Sequence, residues 1–209
     1  MFLDRADGGR QLAQRLARFR DEPSAIVLGI PRGGVVVAAV VARELRLPLD
    51  IVVVRKIGAP GNPEYAVGAM DEDGRVVRSG VHVDEGYLAR AVAENRAEIE
   101  RRVREYRGGR AEPPLQGRTA ILVDDGIATG LTALAAVGYL RAHDAARIVL
   151  ATPVVARSSA EDLAREVDEL VSVSQPATFY AVGQFYERFE QTTDDEVRDI
   201  LAAPARAGM

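Results

Sequence analysis

Residues 120–131 read AILVDDGIATGL. Four apolar residues run into two adjacent carboxylates, Asp124 and Asp125, then into a Gly126–Gly130 loop and an apolar stretch of helical character. The apolar run predicts a buried strand that sets the acidic pair at the carboxyl edge of a sheet. The loop lies at a helix N-terminus, where free backbone N–H groups and the helix dipole favour a phosphate. Its glycines permit close backbone approach. Thr129 and Thr132 add hydroxyl donors. Two carboxylates would repel a phosphate directly, so they face sugar hydroxyls or a Mg²⁺ ion. A bare acidic pair could simply cap the helix. The whole strand–DDGIATG–helix arrangement argues for a ligand site.

The pattern repeats outward. Residues 25–29 (AIVLG), 50–54 (DIVVV), 147–151 (RIVLA) and 170–173 are short apolar runs that predict strands. Residues 35–46, 129–142 and 158–167 predict helices, the last opened by a Ser158/Glu161 capping box. Alternating strands and helices predict an α/β fold: a Rossmann-like, largely parallel twisted sheet flanked by helices, with right-handed crossovers. Ligands bind such sheets at the strands' carboxyl ends. Residues 84–107 predict one long helix lying on the sheet, with an apolar stripe of Leu88, Val92, Ile99, Val103 and Tyr106. A dimer helix is the other reading of that segment. Residues 108–117 predict a connector, and 202–209 a frayed end.

Composition sets the class. The 209 residues carry 27 Lys+Arg and 31 Asp+Glu, a net charge of −4. Such a length suits one domain. The absence of cysteine excludes disulfides, thiolate metal sites and a cysteine nucleophile. At 47% hydrophobic residues the chain is not globally disordered. No apolar run reaches a membrane span, the N-terminus lacks a signal-peptide core, and mild acidity argues against nucleic acid. The expectation is a cytoplasmic protein. Of the 27 cations, 26 are Arg; the single Lys, Lys56, follows Arg55 at a predicted strand end.

Two further strand-end loops are suited to anions. Residues 29–34 (GIPRGG) place Arg32 beside Gly33 and Gly34 after the first strand. Arg55 and Lys56 follow the next. Residues 58–68 (GAPGNPEYAVG) predict an irregular, water-excluding lid. His82 and His143 read as structural or solvated.

AILVDDGIATG resembles the phosphoribosyl-diphosphate (PRPP) binding motif of the type I phosphoribosyltransferases. GIPRGG is similar to that family's pyrophosphate loop, Arg55-Lys56 to the start of its catalytic loop, and FYAVGQFYERF at 179–189 to its late F-x-V-G segment. The order of motifs is most similar to an uncharacterised prokaryotic branch of the family. The resemblance implies one domain over 1–209, with a core at about 22–170 and a hood from about 1–21 and 171–209. It implies that Asp124 and Asp125 hold the ribose hydroxyls and Mg²⁺, the metal through PRPP and water. The 5′-phosphate falls to Gly126, Ile127, Ala128, Thr129, Gly130 and Thr132. The pyrophosphate falls to Arg32, Gly33, Gly34, Arg55 and Lys56, with a non-proline cis peptide near Arg32. Glu64, Tyr65, Phe179 and Tyr180 are base-contacting candidates. Ala128 stands where hypoxanthine-guanine members carry an extra Asp, which disfavours a 6-oxopurine. The partners implied are PRPP, a small-molecule base and a second copy of the chain. The alternatives are a non-catalytic PRPP or nucleotide regulator on the same fold, and an unrelated phosphosugar binder.

Overall fold

In the computed structural model, which describes residues 1–203, five parallel strands form the central sheet. They are β1 (Ala25–Gly29), β2 (Leu49–Ile51), β6 (Thr119–Val123), β7 (Arg147–Val154) and β8 (Glu169–Ser174), in the order β2-β1-β6-β7-β8. Parallel strands covered on both faces need apolar residues at every position, and β1 is buried throughout. Alternate residues then serve opposite faces. Ile26, Leu28, Leu122 and Leu150 pack against α4 (Leu131–Ala142). Val27, Ile121, Val123 and Val149 pack against α1 (Arg5–Arg15) and α2 (Gly33–Leu45). The predicted α/β class and the five strands of the main sheet are borne out.

The chain leaves β1 toward β2 on one side and continues through β6, β7 and β8 on the other. The order therefore reverses between β1 and β6, whose registers end together at Gly29 and Val123. A crevice opens at such a switch point because the following loops diverge. The loops concerned are 30–34 and 124–130.

A second sheet corrects the predicted lid. Residues 58–68 are not irregular: β3 (Arg55–Ala59) and β4 (Asn62–Met70) form an antiparallel hairpin, extended by β5 (Val76–Arg78). Its pairing shifts register at Gly58, where a Cβ would lie 2.6 Å from the Pro63 Cα. This close crossing is why a Gly/Pro-rich stretch forms strands. The strand expected at 50–54 stops at Ile51, because the Val53 N–H turns to the Glu72 carboxylate at 2.7 Å.

The long helix α3 (Glu85–Arg107) forms as expected, capped by Asp84. It lies on the hairpin sheet rather than the parallel one: Leu88, Ile99 and Tyr106 join Ile57, Val67 and Met70 in one cluster. The helix α6 (Asp194–Ala202) closes this cluster with Val197 and Leu201. The expected Ser158/Glu161 box does not cap α5 (Arg157–Glu166), whose N-cap is Ala156. Instead, the Ser159 hydroxyl donates to the Ala128 carbonyl at 2.6 Å. A true capping box stands at Thr193/Glu196. The predicted frayed segment 202–209 falls mostly outside the described residues, as does the Glu64 side chain.

Residues 2–3 run beside 185–188, with Phe2 N–H donating to the Phe185 carbonyl at 2.8 Å and Arg188 N–H to that of Leu3 at 3.0 Å. No helix among the described residues is long and apolar enough to cross a membrane.

Candidate active site at the sheet switch point

The two loops at the switch point touch. The loop after β1 contains a cis Pro31–Arg32 peptide, in the place expected. It leads into Gly33 and Gly34. A Cβ on Gly33 would lie 1.9 Å from Asp125 Oδ2, and one on Gly34 3.0 Å from the Asp124 Cα. Glycine is thus required because the acidic pair fills the space where side chains would stand. Gly33→Ala is expected to cost about 1–3 kcal/mol, the range for overpacking, read by urea unfolding.

Asp124 and Asp125 follow β6 directly. Asp124 Oδ1 accepts the Asp125 N–H at 2.8 Å. Asp125 Oδ2 accepts from Arg5 Nε at 2.7 Å. Burial pushes both carboxyls above their ordinary range. Asp124 lies well above it because the charge of Asp125 adds to the penalty, whereas Arg5 opposes the rise at Asp125. Arg5 belongs to none of the sequence motifs. Its guanidinium stacks on Phe189, 3.9 Å from the ring centroid, and donates to the Glu190 carbonyl at 2.7 Å. The Tyr186 hydroxyl donates to the Asp125 carbonyl at 2.6 Å.

The loop 126–130 divides its predicted donors. The Ile127 side chain is buried, and its N–H donates to the Val154 carbonyl at 2.9 Å. Ile127 is therefore an anchor, and its N–H is not open to a ligand. Among the described residues, the Gly126, Ala128, Thr129 and Gly130 N–H groups meet no protein acceptor. Those of Leu131 and Thr132 lie in the first turn of α4, where a helix leaves donors unsatisfied. Gly130 adopts a φ of +81°, which lets the loop turn into the helix. The result is a run of N–H groups without protein acceptors beside the acidic pair, with Ala128 and Thr129 exposed.

Arg32 and Arg55 converge on one cluster of ion pairs. Arg32 Nη1 lies 3.5 Å from Asp194 Oδ1, and Arg101 Nη2 lies 3.2 Å from Asp194 Oδ2. Arg101 is also paired with Glu98, which receives Arg55 at 3.1 Å and Arg102 at 2.8 Å. Chiefly because Arg101 donates to it, the Glu98 carboxyl falls to about 2. Lys56 is exposed at the start of the hairpin.

The base-contacting candidates are scattered. Phe179 packs on Phe185 at 4.9 Å between centroids, whereas Tyr180 and Tyr65 are 88% and 51% exposed. Tyr186 and Phe189 are the aromatics nearest Asp125 through the contacts above. A cavity of about 280 Å³ is lined by Arg5, Arg32, Gly33, Phe189, Gln191 and Thr192, among others. His143 pairs with Asp73 at 3.0 Å, outside this cluster.

Residues 3–190 match the phosphoribosyl transferase domain family. A Mycobacterium tuberculosis CDC 1551 protein named "Putative phosphoribosyl transferase MT0597" is 48% identical over 206 residues. That alignment covers 96% of this chain and 46% of the relative, so the chain spans about half the length of the curated relatives it matches. The crystal structure of TT1426 from Thermus thermophilus is 43% identical, with a TM-score of 0.81 over 96% of this chain and 97% of that one. With the paired loops at the switch point, these matches place the chain in the phosphoribosyl transferase family.

Proposed function

We propose that the chain transfers the 5-phosphoribosyl group of PRPP to a nitrogenous base and releases pyrophosphate. The observation that carries this is the abutment of two loops: the Arg32-Gly33-Gly34 turn presses on Asp125, beside the unpaired N–H groups of Gly126, Ala128, Thr129 and Gly130. A cationic turn, an acidic pair and an N–H cradle match, in order, a diphosphate, ribose hydroxyls and a 5′-phosphate.

In this reading the acceptor nitrogen's lone pair forms the bond to ribose C1 as the C1–O bond breaks. The bonding pair leaves with pyrophosphate, and the acceptor's proton is lost to solvent. The cradle and acidic pair orient the ribosyl phosphate. Arg32, Arg55 and Lys56 offset the charge of the leaving group. The charge of the acidic pair stabilises positive charge developing on the ring.

Among the described residues no three His, Cys, Asp or Glu side chains are grouped to hold a metal ion. Two carboxylates fit Mg²⁺ held partly by substrate oxygens and water, a common habit of that ion. Asp124 and Asp125 would hold it, and when bound it neutralises diphosphate charge.

A non-catalytic PRPP binder is the second reading. It is favoured by the chain's own Arg5 sitting on Asp125.

The deciding experiment measures pyrophosphate release from PRPP and Mg²⁺ with a panel of purine, pyrimidine and nicotinate-type bases. Release with one base is expected, abolished by EDTA and by the Asp124→Asn/Asp125→Asn double substitution. Tight PRPP binding with no release from any base would support the regulator instead.

A further inference from the structure

The ion-pair cluster at the mouth of the site contains a carboxylate that the helix bearing it does not need. Asp194 is the first residue of α6, yet the cap of that helix is supplied by its neighbours. The Thr193 hydroxyl accepts the Glu196 N–H at 3.1 Å, and Glu196 accepts the Thr193 N–H at 2.7 Å. The Asp194 side chain turns away to three donors. Tyr106 OH donates to Oδ1 at 2.6 Å, Arg101 Nη2 to Oδ2 at 3.2 Å, and Arg32 Nη1 lies 3.5 Å from Oδ1. These donors come from α3 and from the loop after β1, far apart in sequence.

The cluster around this carboxylate is cationic with or without it. Arg32, Arg55, Arg101 and Arg102 supply four cations; Glu98 and Glu105 supply two anions besides Asp194. With Asp194 counted the cluster is cationic by one, and without it by two. Glu98 and Glu105 grip Arg101 from the same helix, so its guanidinium remains oriented when Asp194 leaves. The fork geometry of two arginines and a phenol suits a multi-oxygen anion better than a single carboxylate.

We propose that Arg101 is a pyrophosphate-contacting residue alongside Arg32, and that Asp194 occupies their shared anion slot when substrate is absent. The proposal rests on the phosphoribosyl reading above and extends its pyrophosphate site to α3 and α6. Tyr106 is the third donor of the slot. The diphosphate displaces Asp194, so the resting ion pair opposes binding and Arg101 promotes it.

The test is calorimetric titration of pyrophosphate with Mg²⁺, without any acceptor base, into the full chain and its variants. Asp194→Asn is expected to bind pyrophosphate about tenfold more tightly, and Arg101→Gln about tenfold more weakly, with Arg101→Lys between wild type and Gln. The Asp194→Asn/Arg101→Gln double variant is expected to lose the gain. The opposite signs separate a contact from a structural role, because a damaged fold would weaken binding in every variant. Circular dichroism melts of each variant show whether the fold is retained. Loss of binding in Arg32→Gln with Arg101→Gln and Asp194→Asn unchanged would overturn the proposal and leave the phosphoribosyl reading standing. Absence of binding in the wild-type chain and all variants would overturn both.

Discussion

Asp124→Asn is expected to cut pyrophosphate release at least about a hundredfold, the scale of losing one preorganised polar group, while making the chain more stable. The two effects share a cause. Asp124 is pushed well above the usual carboxyl range by burial and by Asp125, so the native state binds its proton more tightly than the unfolded chain does. Its contribution to stability is therefore most favourable below the unfolded value of 3.8 and is lost as pH rises through the higher folded value. Asparagine removes that loss and keeps an oxygen to accept the Asp125 N–H. A gain in stability is therefore expected at pH 8. Urea unfolding at pH 8 and pH 4 checks it, and the advantage should vanish at the lower pH. A variant less stable than wild type at pH 8 would show that Asp124 is held by favourable contacts rather than tolerated for chemistry.

Arg107→Ala is expected to destabilise the chain by about 3–5 kcal/mol, the cost of stranding a buried charge partner. Arg107 is 7% exposed at the end of α3. Its Nη1 donates to Glu72 at 2.8 Å, its Nη2 to the Ile51 carbonyl at 3.2 Å, and Asp50 lies 3.6 Å from its Nε. It thereby ties the parallel sheet, through Asp50 and Ile51, to the turn between β4 and β5, through Glu72. Burial raises the Glu72 and Asp50 carboxyls, and the nearby Arg107 charge restrains the rise. Without Arg107 both would rise further, so the deficit should be largest near pH 7 and shrink as acid protonates them. Denaturant midpoints across that range measure it. A deficit independent of pH would assign the loss to packing instead.

The parallel sheet was legible because its strands are nearly all apolar: AIVLG, AILV and RIVLA are short runs rich in β-branched residues, set between helical segments. The acidic pair and the 126–130 loop were legible for a related reason, since a strand and the helix after it are local. The hairpin was not. GAPGNPEY has the residues of a turn and lacks period-two alternation, and its pairing depends on the Gly58–Pro63 approach and on Tyr87 OH donating to the Gly58 carbonyl at 2.7 Å. Arg5 and Asp194 were illegible because their partners lie 120 and 93 residues away, at Asp125 and Arg101. No local spacing encodes such pairs, and with 26 arginines no single one stands out. Ile127 departs from expectation in a smaller way. In a cradle motif every N–H looks available, and only the neighbouring β7 shows that one is used to anchor the loop.

The pairing of residues 2–3 with 185–188 bears on the order in which a ribosome-bound chain matures. Domains form as units while synthesis proceeds. The strands β1, β2 and β6, with both ligand loops, have emerged well before residue 185. At that stage Phe189, on which the Arg5 guanidinium rests beside Asp125, has not been made. The nascent sheet is thus assembled before the aromatic segment that packs on Arg5 has been made. Those contacts come last, so in the finished protein this flap is the unit expected to open first in hydrogen exchange.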